Sequence, residues 1–389
     1  MRLLLLLAVL PLAHPGLQSR GGAQPAGLTA AQAAAAIDQL ANLEFPIRMD
    51  AARTLRRAPT AVAVPALTRA VATHKDGYVR FRSLVLLSGF NEPGTRDVMT
   101  RMLAEKNDRL RAVAYAFFEH NSDPAALPRL IDALPREDSE FVRPALTRAI
   151  AAHGRDKAAQ QTMTQLVTRG QDFFRGAVIE AIGDYKGAYA FAALTEVAKL
   201  EGPLQDDAVL ALGKLGDKRA LETFAALQRS APRSVQPVIA ASICLVGVNC
   251  SSHQGYLTES LKFAIAQPGY QELLRGAASG LAALAVAGNE DAMRTLIQLG
   301  APTRDPARAA IALALGTIAL RNTPLTLKVL EGDPKPEAAL ELLREAFDML
   351  EEDFIEERFF AAVRRGFWQA PPGSPARALA DALIQKLEF

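Results

Sequence analysis

Cysteine is scarce in this 389-residue chain, with two residues, and aromatics make up 6%, with a single tryptophan. Two cysteines with one nearby histidine, His253, are thin evidence for a structural zinc site, which takes four ligands. The shortage of aromatic residues in a chain that is half hydrophobic and rich in alanine argues against a β-sandwich or an α/β enzyme and for thin, closely packed helical layers. Neither sign of charge is in real excess: 44 Lys and Arg stand against 42 Asp and Glu, so no basic field holds a polyanion and nucleic acid is disfavoured as a partner. Missing too are a Gly-rich phosphate loop, a G-x-S-x-G elbow and an H-E-x-x-H pair. Long apolar runs are absent beyond the first residues. Ala277 to Ala287 and Ala307 to Leu320 both fall short of the roughly 18–20 residues needed to span a bilayer, and read as buried helices.

The first residues have the pattern of a targeting segment. Arg2 gives the positive end, Leu3 to Ala13 the apolar stretch, and small residues up to Ala23 a cleavage region. Export to the periplasm or beyond is the expected location.

What fills the rest is a repeat. Pro203 to Leu227 holds its clearest copy: Leu204, Ala208, Leu212 and Leu215 form one helical stripe, Gly216-Asp217 ends it, and Leu221, Phe224 and Leu227 begin a second. Near the start of the second helix of each pair an apolar residue precedes Arg or Gln. This marker falls at Arg48, Arg80, Arg111, Arg143, Arg175, Gln205, Gln236, Arg275 and Arg308, and successive differences are 32, 31, 32, 32, 30, 31, 39 and 33. A period in this range signals a solenoid, in which each unit hides its apolar stripe only against its neighbours. The long interval places its surplus in Gly247 to Gln254, predicted as a bulging loop. The expected form is an open, curved rod of paired helices.

The apolar-Arg step, A-L-G-K-L-G-D at Ala211 to Asp217 and A-L-P-R-L at Ala126 to Leu130 resemble the HEAT repeat family, in particular the short bacterial HEAT-like repeats of the phycobilisome-lyase type. The resemblance covers roughly Thr29 to Asp333. It implies an all-α fold, a right-handed α-solenoid of about nine HEAT-like helix pairs with a C-terminal helical cap. The expected division is a signal peptide over 1–23, the solenoid over 24–334 and the cap over 335–389. The resemblance specifies fold and leaves function open, because repeats of this type serve unrelated binding roles.

The candidate residues each carry two readings. The arginine ladder of Arg48, Arg80, Arg111, Arg143, Arg175, Arg275 and Arg308 could bind anions along one groove; the favoured reading is structural, each bonding the carbonyls of an adjacent turn or the nearby Asp76, Asp108, Asp138, Asp172 and Asp305. Cys244 and Cys250 read as a disulfide, with a reactive thiol near His253 as the alternative. His120 and His153, nine and ten residues after their markers, fall at one edge with Asp184; a metal or acid–base site is weighed there against ordinary polar helix ends. Positions one and five after each marker vary freely, which nominates Met49, Arg53, Phe81, Val85, Arg148 and Glu180 as a partner-binding face. The expected function is thus an exported, non-enzymatic scaffold or assembly factor at the cell envelope, binding a protein or peptide, with no cofactor, no metal and no membrane span. The alternative is a cofactor-handling enzyme like the lyases whose repeats it resembles.

Overall fold

The computed structural model describes residues 28–90, 92–267, 269–350 and 353–388; the proposed signal segment lies outside them. Among the described residues every regular element is helical. Nine pairs run in order: α1 (Ala30–Asp38) and α2 (Phe45–Arg57); α3 (Thr60–Thr73) and α4 (Gly77–Phe90); α5 (Thr95–Met102) and α6 (Asp108–His120); α7 (Leu127–Ala133) and α8 (Arg143–Ala151); α9 (Lys157–Thr168) and α10 (Asp172–Asp184); α11 (Phe191–Ala198) and α12 (Gln205–Leu215); α13 (Ala220–Ser230) and α14 (Gln236–Leu245); α15 (Cys250–Ala266) and α16 (Gln271–Val286); α17 (Glu290–Gly300) and α18 (Ala307–Arg321). Four helices follow: α19 (Thr323–Glu331), α20 (Glu337–Leu350), α21 (Asp353–Gln369) and α22 (Pro375–Leu387).

The helices begin where local chemistry satisfies the free amides of a first turn. Thr29 and Gln32 form a reciprocal capping box on α1, and Asp156, Asn289 and Ser374 accept amides of α9, α17 and α22. Proline stands in the first turn of α2, α7, α8, α14, α19 and α22.

The marker-bearing, even-numbered helices stack on one another from α2 to α18, and α20 continues the stack on α18. The odd-numbered helices back them on the other side. Each inner helix is sandwiched, and α14 accordingly buries every residue from Pro237 to Cys244. Close stacking is set by small residues eight positions after the marker. A Cβ on Gly183 would lie 2.9 Å from the Ala211 backbone, one on Gly213 2.6 Å from Ser242 Cα, and one on Gly316 2.7 Å from Ala346 Cβ.

Two expectations are corrected. The surplus of the 39-residue interval is helix rather than a bulging loop. Gly247 and Asn249 adopt positive φ, so the chain turns sharply and α15 starts at Cys250, burying Leu257, Leu261 and Ala264 at helical spacing. The array is also not an open rod. It curls until Arg321 of α18 stands 3.8 Å from Glu119 of α6, and α21 crosses the inner face to contact α4, α6 and α18.

The closing contact is an ionic knot between residues about 300 positions apart. Glu357 of α21 accepts from Arg56 Nη2 of α2 at 2.8 Å and from Arg364 Nη2 at 2.6 Å, and Arg364 also pairs with Glu388. Glu357 occupies the space that Gly89 leaves on α4, where a Cβ would lie 2.6 Å from its Oε1. Phe354 packs edge-on against Phe117 of α6, while Phe359 and Phe360 meet Phe347 of α20. The end segment therefore does more than cap the last repeat: it joins the last pairs to the first.

Candidate functional site

Curling brings α6, α8, α10, α12, α16 and α18 around a hollow that α21 covers at one end. Two connected spaces, about 490 and 400 Å³, share Asp184, Val286 and Arg321 in their walls. The first is a buried ion network. Glu119 accepts from Arg148 Nε at 2.9 Å and from the Tyr185 hydroxyl at 2.8 Å. Asp184 receives Arg148 Nη1 at 2.7 Å and Lys214 Nζ at 2.6 Å. Burial works to raise both carboxyls, but the cations outweigh it and hold both below their ordinary range, Arg148 acting on Glu119 and Lys214 with Arg148 on Asp184. Burial drives His120 down to about 4 against the pull of Glu119, so its imidazole is neutral at pH 7.

The second space differs in character. Its α16 and α18 side is largely apolar, with Ala282, Ala283, Val286, Leu313 and Ala314 beside Arg275, Ser279, Thr317 and Arg321, and its α10 and α12 side presents Glu180, Asp184 and Asp207 with Leu210 and Lys214. Asp207 is exposed to the water of the hollow, with Gly176 of α10 close on its other side. Its carboxyl is pushed up to about 7, first by desolvation and then by Asp206 and Glu180, with Lys214 opposing.

The structure scatters the residues singled out from sequence. Asp184 and His120 both line the hollow. His153 does not join them: its ring is turned away, with Nδ1 2.8 Å from the Ala149 carbonyl and Nε2 3.1 Å from the Asp123 carbonyl. Among the described residues no group of three or more His, Cys, Asp or Glu is placed to hold a metal. Of the proposed partner face, Met49, Phe81 and Val85 are buried, and Arg53 is half-buried. Val85 lies one turn before Gly89, the residue that abuts Glu357, so this stretch of α4 faces the chain's own α21. Arg148 is consumed by the network, and Glu180 remains exposed. Cys244 and Cys250 form a disulfide between the end of α14 and the start of α15.

The arginine ladder has a uniform task. Arg48 bonds the Asn42 and Leu43 carbonyls; Arg80 bonds Val71, Arg111 bonds Glu105 and Lys106, Arg143 bonds Leu134 and Glu137, Arg175 bonds Val167, and Arg308 bonds Gly300 and Ala301. Each donates to the carboxyl end of the preceding outer helix or the turn after it, where carbonyls lack amide partners. The expected aspartate partners serve elsewhere: Asp76 caps α4 through the Tyr78 and Val79 amides, and of that set only Asp172 bonds its marker arginine among the described residues. Glutamates from the next repeat fill that place, Glu105 for Arg80, Glu137 for Arg111 and Glu345 for Arg308. Arg275 departs from the rule, being largely exposed and paired with Glu272.

The sequence signal missed Asp207 and Lys214. Asp207 sits two residues after its marker, off the positions tested, and what singles it out is the wall facing it.

No family model matches the chain, and neither does any curated protein. Among solved structures, the X-ray structure of YibA from E. coli is similar over 56% of this chain and 82% of that one, at 17% identity and a TM-score of 0.41. That likeness is too slight to carry an argument about function.

Proposed function

We propose that this chain is an exported HEAT-like repeat protein that binds a segment of another protein in its inner hollow and carries out no catalysis of its own. The carrying observation is the hollow walled by α10, α12, α16 and α18, with an apolar side opposite a carboxylate side. Pockets of this kind, apolar with a few convergent polar groups, are where ligands bind. The 32-residue beat, the stacked pairs and the carbonyl-bonding arginines support the HEAT-like assignment. The catalytic alternative needs His120, His153 and Asp184 on one reactant, and His153 is turned to backbone carbonyls instead.

The test is capture of the partner by wild type and by Ser279→Trp, which fills the hollow from an exposed position on α16. The reading expects a partner held by wild type and lost from the variant while both melt alike. A partner retained by Ser279→Trp overturns it. Export is checked separately by fractionation and by mass spectrometry of the mature N-terminus.

A further inference from the structure

The cations lining the second space, where Asp207 sits, are already engaged. Lys214 is tied to Asp184 at 2.6 Å, Arg275 pairs with Glu272, and Arg321 stands 3.8 Å from Glu119. On the carboxylate side, Glu180 lies 3.9 Å from Arg148, whose other contacts are closer. Asp207 is left over. Among the described residues no donor bonds its carboxylate and no cation reaches ion-pair distance, while Asp206 and Glu180 add like charge. Gly176 of α10 leaves it space, a Cβ there lying 3.2 Å from Asp207 Oδ2.

An anion held without a partner beside an apolar wall matches one kind of group: a cation on an aliphatic stem. The stem covers Ala282, Ala283, Val286, Leu313 and Ala314, and the head neutralises the acid. A divalent metal fits less well, since the wall opposite Asp207 offers only the Ser279 and Thr317 hydroxyls and no carboxylate.

We infer that the hollow receives a lysine or arginine side chain of the partner protein, its stem against α16 and α18 and its charge against Asp207, with Glu180 behind. This inference rests on the proposed binding role and names the chemistry the partner must bring.

The probes are Nα-acetyl-lysine methylamide and its uncharged counterpart Nα-acetyl-norleucine methylamide, titrated into the full chain by NMR at low salt. The lysine probe is expected to bind at least tenfold more tightly. With the acid titrating near 7, its ionised share rises from about a tenth at pH 6 to about nine tenths at pH 8. Lysine-probe binding should therefore tighten by up to about tenfold over that range. Asp207→Asn should abolish both the preference and the pH dependence, and melting of each variant shows that the fold is intact. Equal binding of the two probes, no binding of either, or a preference that survives Asp207→Asn would overturn the inference. If the captured partner is lost from Ser279→Trp but kept at full affinity by Asp207→Asn, the binding role stands and the cation assignment falls; if Ser279→Trp keeps it, both fall.

Discussion

At the scale of single residues, the marker position asks for a long side chain that donates hydrogen bonds rather than for charge. Gln205 and Gln236 show this, because their Nε2 groups bond the Ala198 and Ala231 carbonyls as the arginines do in other repeats. Where an acid joins, charge matters again. Glu137 is almost wholly buried and held by Arg111 through Nε and Nη2 at 2.6 and 2.9 Å. Arg111→Ala should cost about 3 kcal/mol by leaving that carboxylate buried and unpaired, and Gln205→Ala about 1 kcal/mol, both read from denaturant midpoints. Two further groups pull stability in opposite directions with pH. His120 has a folded pKa of about 4, below its unfolded value, so the unfolded chain takes up the proton first and stability falls as pH drops from 7.5 to 5.5. Asp207 has a folded pKa of about 7, above its unfolded value, so the folded chain protonates first and stability rises over the same range. His120→Gln should remove the loss and Asp207→Asn the gain. Urea midpoints at the two pH values check both, and equal slopes in wild type and variants would contradict the assignment.

Between elements, what decides the stack is how closely consecutive inner helices approach. Gly183 and Gly213 recur at one register and face Ala211 and Ser242, small residues on the next helix, so backbones meet where side chains would hold them apart. Gly213→Ala should destabilise by about 2 kcal/mol, since its Cβ would press on Ser242 Cα, which cannot swing aside, whereas Gly255→Ala on α15 meets nothing and should not. Thermal melting of the two variants separates these outcomes. The same packing explains why α14 buries every residue from Pro237 to Cys244: it is covered on both sides by α12 and α16 and backed by α13 and α15.

For the whole molecule, the governing event is closure by α21. Glu357 and Arg56 are both almost fully buried, and removing Glu357 takes from Arg56 its 2.8 Å partner and leaves it Glu388 at 3.6 Å. Glu357→Gln should therefore cost about 3 kcal/mol and speed amide exchange in α21 while α12 and α14 keep their protection. Gly89→Val attacks the same knot from the opposite wall, by filling the space the carboxylate occupies, and should loosen α21 in the same way. Unchanged exchange in α21 for both variants would show that closure rests on the phenylalanine contacts instead. Closure also accounts for the fate of the expected binding face. The inner surface of α4 is occupied by the chain's own helix, and the part left open has moved to α10, α12, α16 and α18.

The amino-acid sequence by itself determined the unit and its count, because an apolar stripe at helical spacing and a marker every 32 residues or so express contacts made within a pair or with the next one. Asp184 and Glu180 were legible as inner-helix residues for the same reason, since the period places them there. Tertiary structure alone decided the ring, the hollow and Asp207. The Arg56–Glu357 and Glu119–Arg321 pairs bind residues 301 and about 200 positions apart, and no period relates them. Neighbour-to-neighbour patterning carries no signal for how far small, accumulating rotations between repeats bend the stack, and that curvature chose which faces meet.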